Sequence, residues 1–168
     1  MHRTLTLIAA AVALAGSAHA ATLTTTDWGS HDLLELASPH TAVGGFEDGY
    51  LFTLPTQAAL YSVAVSNDLS PVLGLSHGTV RLFREDGAVD TELGSYTFGP
   101  DTGQVKHGFG SPLAGAYYYL VSGHGIGSQG GAYMLSSTVS AVPEPQTAML
   151  LLAGLGAMVF MAKRRRAS

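Results

Sequence analysis

The sequence predicts an all-β fold: an antiparallel β-sandwich or jelly-roll-like domain, flanked by an N-terminal signal helix and a C-terminal transmembrane helix. Three observations carry this. Between residues 21 and 141 no 3.6-residue apolar periodicity runs long enough for a helix, whereas short alternating runs rich in Tyr, Val, Phe and Thr recur. Turn-forming clusters separate those runs at spacings typical of all-β domains. At each end lies an uncharged stretch bordered by basic residues, which belongs to a membrane and not to a core.

The chain begins Met1-His2-Arg3-Thr4, continues through an apolar run from Leu5 to Gly16, and reaches Ser17-Ala18-His19-Ala20. A short basic segment, an apolar segment and a small-x-small site make a Sec signal peptide over residues 1–20. Ala18 and Ala20 suit the shallow pockets of signal peptidase, so cleavage is expected before Ala21. An uncleaved anchor is the alternative, but the apolar run is short for a span.

The secreted domain, residues 21–141, must fold without disulfides, because the sequence contains no cysteine. This also removes Cys-ligated zinc and thiol nucleophiles. Its length suffices for one core. The charge is segregated: Arg81, Arg84 and Lys106 stand against eleven acidic residues, a balance of 3 − 11 = −8. Such a surface repels phosphate backbones, which argues against nucleic-acid partners.

Strands are predicted at Tyr50–Leu54, Ala59–Ser66, Thr79–Arg84, Leu93–Phe98, Gln104–Phe109, Ala116–Ser122 and Gly131–Ala141. Asn67-Asp68, Ser70-Pro71, Asp86-Gly87 and the segment 99–103 separate them as turns. In the last strand Tyr133, Leu135 and Val139 fall on one face, and Met134, Ser136, Thr138 and Ser140 on the other. The glycine-rich segment 123–130 is read as the mobile loop of a terminal hairpin. Its Gly-x-Gly-x-Gly spacing lacks the Lys-Ser/Thr and the helix that a phosphate loop needs.

No catalytic residue is assigned. Gly-x-Ser-x-Gly does not occur, no His-Glu-x-x-His is present, and His31, His40, His77, His107 and His124 are scattered. Ser30-His31-Asp32 is the nearest approach to a local triad, but side chains adjacent in sequence diverge. No cofactor is required. Calcium has weak candidates in Glu47, Asp48, Glu85, Asp86 and Asp90, hard oxygens in acidic loops, although their spacing fits no EF-hand and such loops are commonly just solvated. Trp28 and the run Tyr117 to Tyr119 could stack on sugar rings or be absorbed in the interior.

The last segment, residues 142–168, reads Val142-Pro143-Glu144-Pro145, then sixteen uncharged residues from Thr147 to Ala162, then Lys163, Arg164, Arg165 and Arg166. The proline-flanked turn is extended and open to a protease. As a helix the uncharged stretch reaches about 24 Å, and basic side chains snorkel to cover the rest of a core of about 30 Å. The basic cluster stays cytoplasmic, which puts residues 21–141 outside the inner membrane. A plain single-pass anchor is the alternative to a processed one.

This tail resembles the PEP-CTERM sorting signal, with Val142 to Pro145 matching its hallmark tetrapeptide. The resemblance implies processing by an exosortase near that tetrapeptide, after export through the Sec translocon and cutting by signal peptidase. It implies an inner-membrane-anchored precursor in a Gram-negative bacterium, then an envelope or extracellular protein linked to exopolysaccharide or biofilm. Phe46, Asp48 and Tyr50 resemble the signature of the FxDxF family of PEP-CTERM proteins, with Tyr50 in place of the last aromatic. Physically, the two rings are expected to pin a loop to the sheet while Asp48 caps the turn before a strand. The alternative is a carbohydrate- or calcium-binding module at the cell surface.

Overall fold

The computed structural model describes residues 22–142 and, in the tail, Ala153 and Leu155. The predicted signal peptide with its Ala18, Ala20 and Ala21 cleavage site, Pro143 to Pro145, the basic stop and the remainder of the transmembrane segment lie outside the described residues. Among the described residues no helix is long and apolar enough to cross a membrane.

Residues 22–142 form ten strands: β1 (Thr22–Ser30), β2 (Leu34–Ala37), β3 (His40–Thr41), β4 (Gly44–Leu54), β5 (Ala58–Ser66), β6 (Leu75–Arg84), β7 (Thr91–Phe98), β8 (His107–Gly108), β9 (Gly115–Gly125) and β10 (Gly131–Ala141). They make two sheets. The first has the order β1-β4-β9-β6-β7; the second has β2-β10-β5-β8, with the two-residue β3 also on β10. The all-β expectation holds, and the last strand has the predicted bounds.

The alternation that predicted the strands also makes the core. Phe46, Tyr50, Phe52 and Leu54 of β4 point inward with Tyr117, Tyr119 and Val121 of β9, Val80 and Leu82 of β6, and Tyr96 and Phe98 of β7. From the second sheet come Leu60 and Ala64 of β5 and Tyr133 and Leu135 of β10. Each large aromatic interior residue removes roughly 150–250 Å² from water, so this ring-rich layer supplies much of the driving force.

Four expectations need correction. The fold is not wholly antiparallel, because β1 joins the edge of the first sheet parallel to β4, with Thr22 opposite Phe46. The run Gln104–Phe109 pairs only through His107 and Gly108, against Ser62 and Tyr61. β9 and β10 form no hairpin: β9 lies between β4 and β6, and β10 between β2 and β5. The segment joining them crosses from sheet to sheet and is packed, not loose. A Cβ on Gly127 would collide with the carbonyl of Val72, and one on Gly130, whose φ is +96°, with that of Thr41. These glycines are where main chain meets main chain. Finally, Phe46, Asp48 and Tyr50 lie within β4 and not in a loop before it.

The chain enters beside Phe46, at the end of the molecule that holds the start of β10, since Phe46 stacks on Tyr133. It leaves at the opposite end, where Ala141 pairs with Ala58.

Candidate functional site

Successive strand residues point to opposite faces, so positions 46, 48 and 50 share the interior face of β4. All three meet one residue of the facing sheet. Phe46 stacks on the Tyr133 ring with centroids 5.6 Å apart and planes at 18°. The Tyr133 hydroxyl donates to Asp48 Oδ2 at 2.7 Å, and lies 2.8 Å from the Tyr50 hydroxyl. Tyr133 has one proton and spends it on the carboxylate, so Tyr50 is the donor in their contact. Trp28 of β1 stacks on the far side of Tyr50 at 5.1 Å. The motif is a lock between sheets, not a turn cap.

The electrostatics follow from burial. Asp48 is 7 % exposed. Desolvation pushes its carboxyl above the ordinary carboxylate range, while hydrogen bonds from Tyr133 and Thr24 pull it back. Burial raises the Tyr50 phenol to about 12; the Tyr133 hydrogen bond opposes this and the Asp48 charge adds to it. Tyr133 is raised too, first by burial and then by its bond to Asp48.

A second buried chain runs through His31, which sequence reasoning set aside. His31 Nδ1 donates to the carbonyl of Asp32, and Nε2 lies 2.7 Å from Ser137 Oγ. In the neutral imidazole Ser137 is therefore the donor to Nε2, and its oxygen accepts from Tyr119 at 3.0 Å. Nearby, Ser62 Oγ and the Tyr96 hydroxyl are 2.8 Å apart. Burial raises both the Tyr119 and Tyr96 phenols, the latter to about 12. A serine against an imidazole has the form of a nucleophile with its base. Here Ser137 has no exposed surface and Tyr119 occupies its other side. Ser137 was missed, although a small hydroxyl at an inward position between Leu135 and Val139 is itself a sign of a buried hydrogen bond.

The calcium candidates are not brought together. Glu47 and Asp48 point to opposite faces of β4, and Asp48 is engaged by Tyr133. Asp86 pairs with Arg84 Nε at 3.1 Å and accepts from Thr91 at 2.7 Å. Asp90 accepts from the Tyr118 hydroxyl at 2.8 Å, while Glu85 is exposed. Among the described residues no three His, Asp or Glu side chains converge as a metal site. The aromatic run divides as alternation requires: Tyr117 and Tyr119 point inward, and Tyr118 points outward against Phe83, with centroids 5.1 Å apart. A depression of about 240 Å³ between β7 and the 102–107 segment, lined by Thr97, Phe98, Val105 and His107, falls below the roughly 300 Å³ at which small-molecule sites begin.

Comparison with known proteins adds one informative match. The family model of the PEP-CTERM protein-sorting motif matches residues 141–166. No curated protein matches the chain. Solved structures similar to it include the Yersinia pseudotuberculosis-derived mitogen, with 17% identity over 67% of this chain and 90% of that one, at a TM-score of 0.44. Another is PliG of Aeromonas hydrophila, a periplasmic lysozyme inhibitor of g-type lysozyme: 10% identity over 71% and 100%, TM-score 0.42. A third is the pre-peptidase C-terminal domain of a Bacillus anthracis collagenase: 13% identity over 71% and 96%, TM-score 0.42. Val142, the first residue of the tetrapeptide, directly follows the last residue of β10, so the matched segment begins where the fold ends. The chain carries a PEP-CTERM protein-sorting motif, and that motif implies an exported precursor sorted by an exosortase.

Proposed function

We propose that this protein is a non-enzymatic component of the cell envelope or extracellular matrix: a β-sandwich exported by Sec, held by its tail, cut by exosortase and associated with exopolysaccharide. The observation that carries the reading is the order of parts after β10, with the proline-flanked turn, the uncharged stretch and the basic cluster following without a gap. The non-enzymatic part draws support from the burial of Ser137 and His31 behind both sheets. The test compares cells with and without exosortase. Without the enzyme the mature chain is expected to stay in the membrane fraction at greater length, and equal gel mobility in both strains would refute processing.

A carbohydrate-binding module is the second reading. It is favoured by the outward rings of Tyr118 and Phe83, flanked by Arg81 and by Asp90. Glycan arrays probed with the exported chain discriminate, since a flat array leaves the structural reading alone.

A further inference from the structure

The two outer faces of this molecule differ in charge. Outward positions of the first sheet include Asp27, Glu47, Arg81 and Glu92. The outward positions of β2, β10 and β5, among them Leu34, Leu36, Met134, Tyr61, Val63 and Val65, include no charged residue. Leu34 is 51% exposed and Leu36 58%. In register, Ser136 lies between Leu36 and Val63, and Thr138 between Leu34 and Tyr61, so a column of small hydroxyl side chains runs between two apolar columns on an uncharged face. Among the described residues nothing covers it. At its margin Lys106 Nζ sits 3.9 Å from the centroid of the Tyr61 ring.

We propose that this face rests on the outer surface of the inner-membrane bilayer while the tail holds the precursor there. The inference depends on the reading of residues 147–162 as a bilayer-crossing segment. Three arguments select the bilayer. The tail leaves from β10, an interior strand of this same sheet, and only Val142 to Gln146 separate Ala141 from the uncharged stretch, a reach of at most about 18 Å. A domain with a formal charge of −8 approaches anionic lipid with least repulsion through the surface that carries none, and Lys106 beside Tyr61 offers a cation and an amphipathic ring at headgroup level. Eleven side chains are also too few for a second copy, since stable dimers use about 20–30 residues a side. A tether that short sets an effective concentration in the millimolar range, so a weak surface affinity suffices.

The test uses the full chain in phosphatidylcholine–phosphatidylglycerol vesicles. The chain has no cysteine, so single labels report single places. Met134→Cys lies on the apolar face seven residues before Ala141, about 23 Å along the strand, where tether proximity alone does not bring it to lipid. Thr97→Cys reports the opposite face. A nitroxide at Met134→Cys is expected to collide severalfold more with oxygen than with an aqueous nickel chelate, while one at Thr97→Cys shows the reverse. Adding L36E and V63E should return the first label to water without changing vesicle flotation. Both labels aqueous in a chain that floats with vesicles would overturn the proposal and leave the tail reading intact. Spin–spin broadening at Met134→Cys would overturn it in favour of a second copy. A chain that does not float would overturn both readings, and a shielded label in that case identifies the tail itself as the cover.

Discussion

Replacing Tyr133 with phenylalanine removes one oxygen from the centre of the fold and leaves the ring contacts with Phe46 and Phe98 in place. Two groups lose a partner: Asp48 Oδ2, bonded at 2.7 Å, and the Tyr50 hydroxyl, at 2.8 Å. A hydrogen bond to a buried charge contributes about 1.5–3 kcal/mol and a neutral one about 1, so the loss at pH 7 is roughly 3 kcal/mol. For a domain of this size that lowers Tm by about 12 °C. The loss also depends on pH. The Asp48 carboxyl already sits above its ordinary value in the folded chain, and the Tyr133 bond opposes that rise, so Tyr133→Phe raises it further. Between the unfolded and the folded value the native state holds a proton that the unfolded state has released, and stability therefore falls as pH climbs through that window. The substitution should cost more at pH 7 than near pH 4, where the carboxyl is closer to neutral in both states. In an Asp48→Asn background its cost should shrink to about 1 kcal/mol. Urea unfolding of the mature domain at both pH values, with the four-member mutant cycle, measures this. A cost independent of pH and unaffected by Asp48→Asn would refute the lock as described.

Alkaline unfolding is a second expectation. Burial lifts Tyr50 and Tyr96 from 10.0 to about 12, so their contribution is complete below pH 10 and is lost as pH climbs from 10 towards 12. Absorbance at 295 nm should show phenol ionisation coinciding with cooperative unfolding, and smooth titration near pH 10 in an intact fold would contradict it. Gly130→Ala drives a methyl into the Thr41 carbonyl at positive φ and should cost about 3 kcal/mol or more in chemical denaturation. Gly87→Ala, at φ +90° with open space around it, is the control at about 1 kcal/mol.

The strands were legible because alternation is local: β10 shows its apolar face at 133, 135 and 139 without help from any partner. Partner choice is not local. The runs 116–122 and 131–141 with the glycine-rich residues 123–130 between them read as a hairpin, and only the facing carbonyls of Thr41 and Val72 reveal that Gly127 and Gly130 serve a crossing between sheets. β1 was invisible because its residues are largely exposed, so it carries threonines instead of an alternating apolar pattern. The site was half legible. The spacing of Phe46, Asp48 and Tyr50 at every second residue already implied one face of one strand, but the residue they share lies 83 positions beyond Tyr50. The sorting motif at 141–166 was legible because its parts are compositional: a Pro-Glu-Pro turn, an uncharged stretch and a basic cluster in that order.

The last strand is also the handle by which this domain is held. β10 is gripped on one side by β5 over nine consecutive residue pairs, Tyr133 to Ala141 against Ser66 to Ala58, and on the other by β2. A force along the axis of β10 is perpendicular to those hydrogen bonds and loads the whole ladder in shear instead of peeling it one rung at a time. A force in that direction therefore meets the best-braced strand of its sheet, and nine pairs with β5 must give together before Ala141 is drawn out.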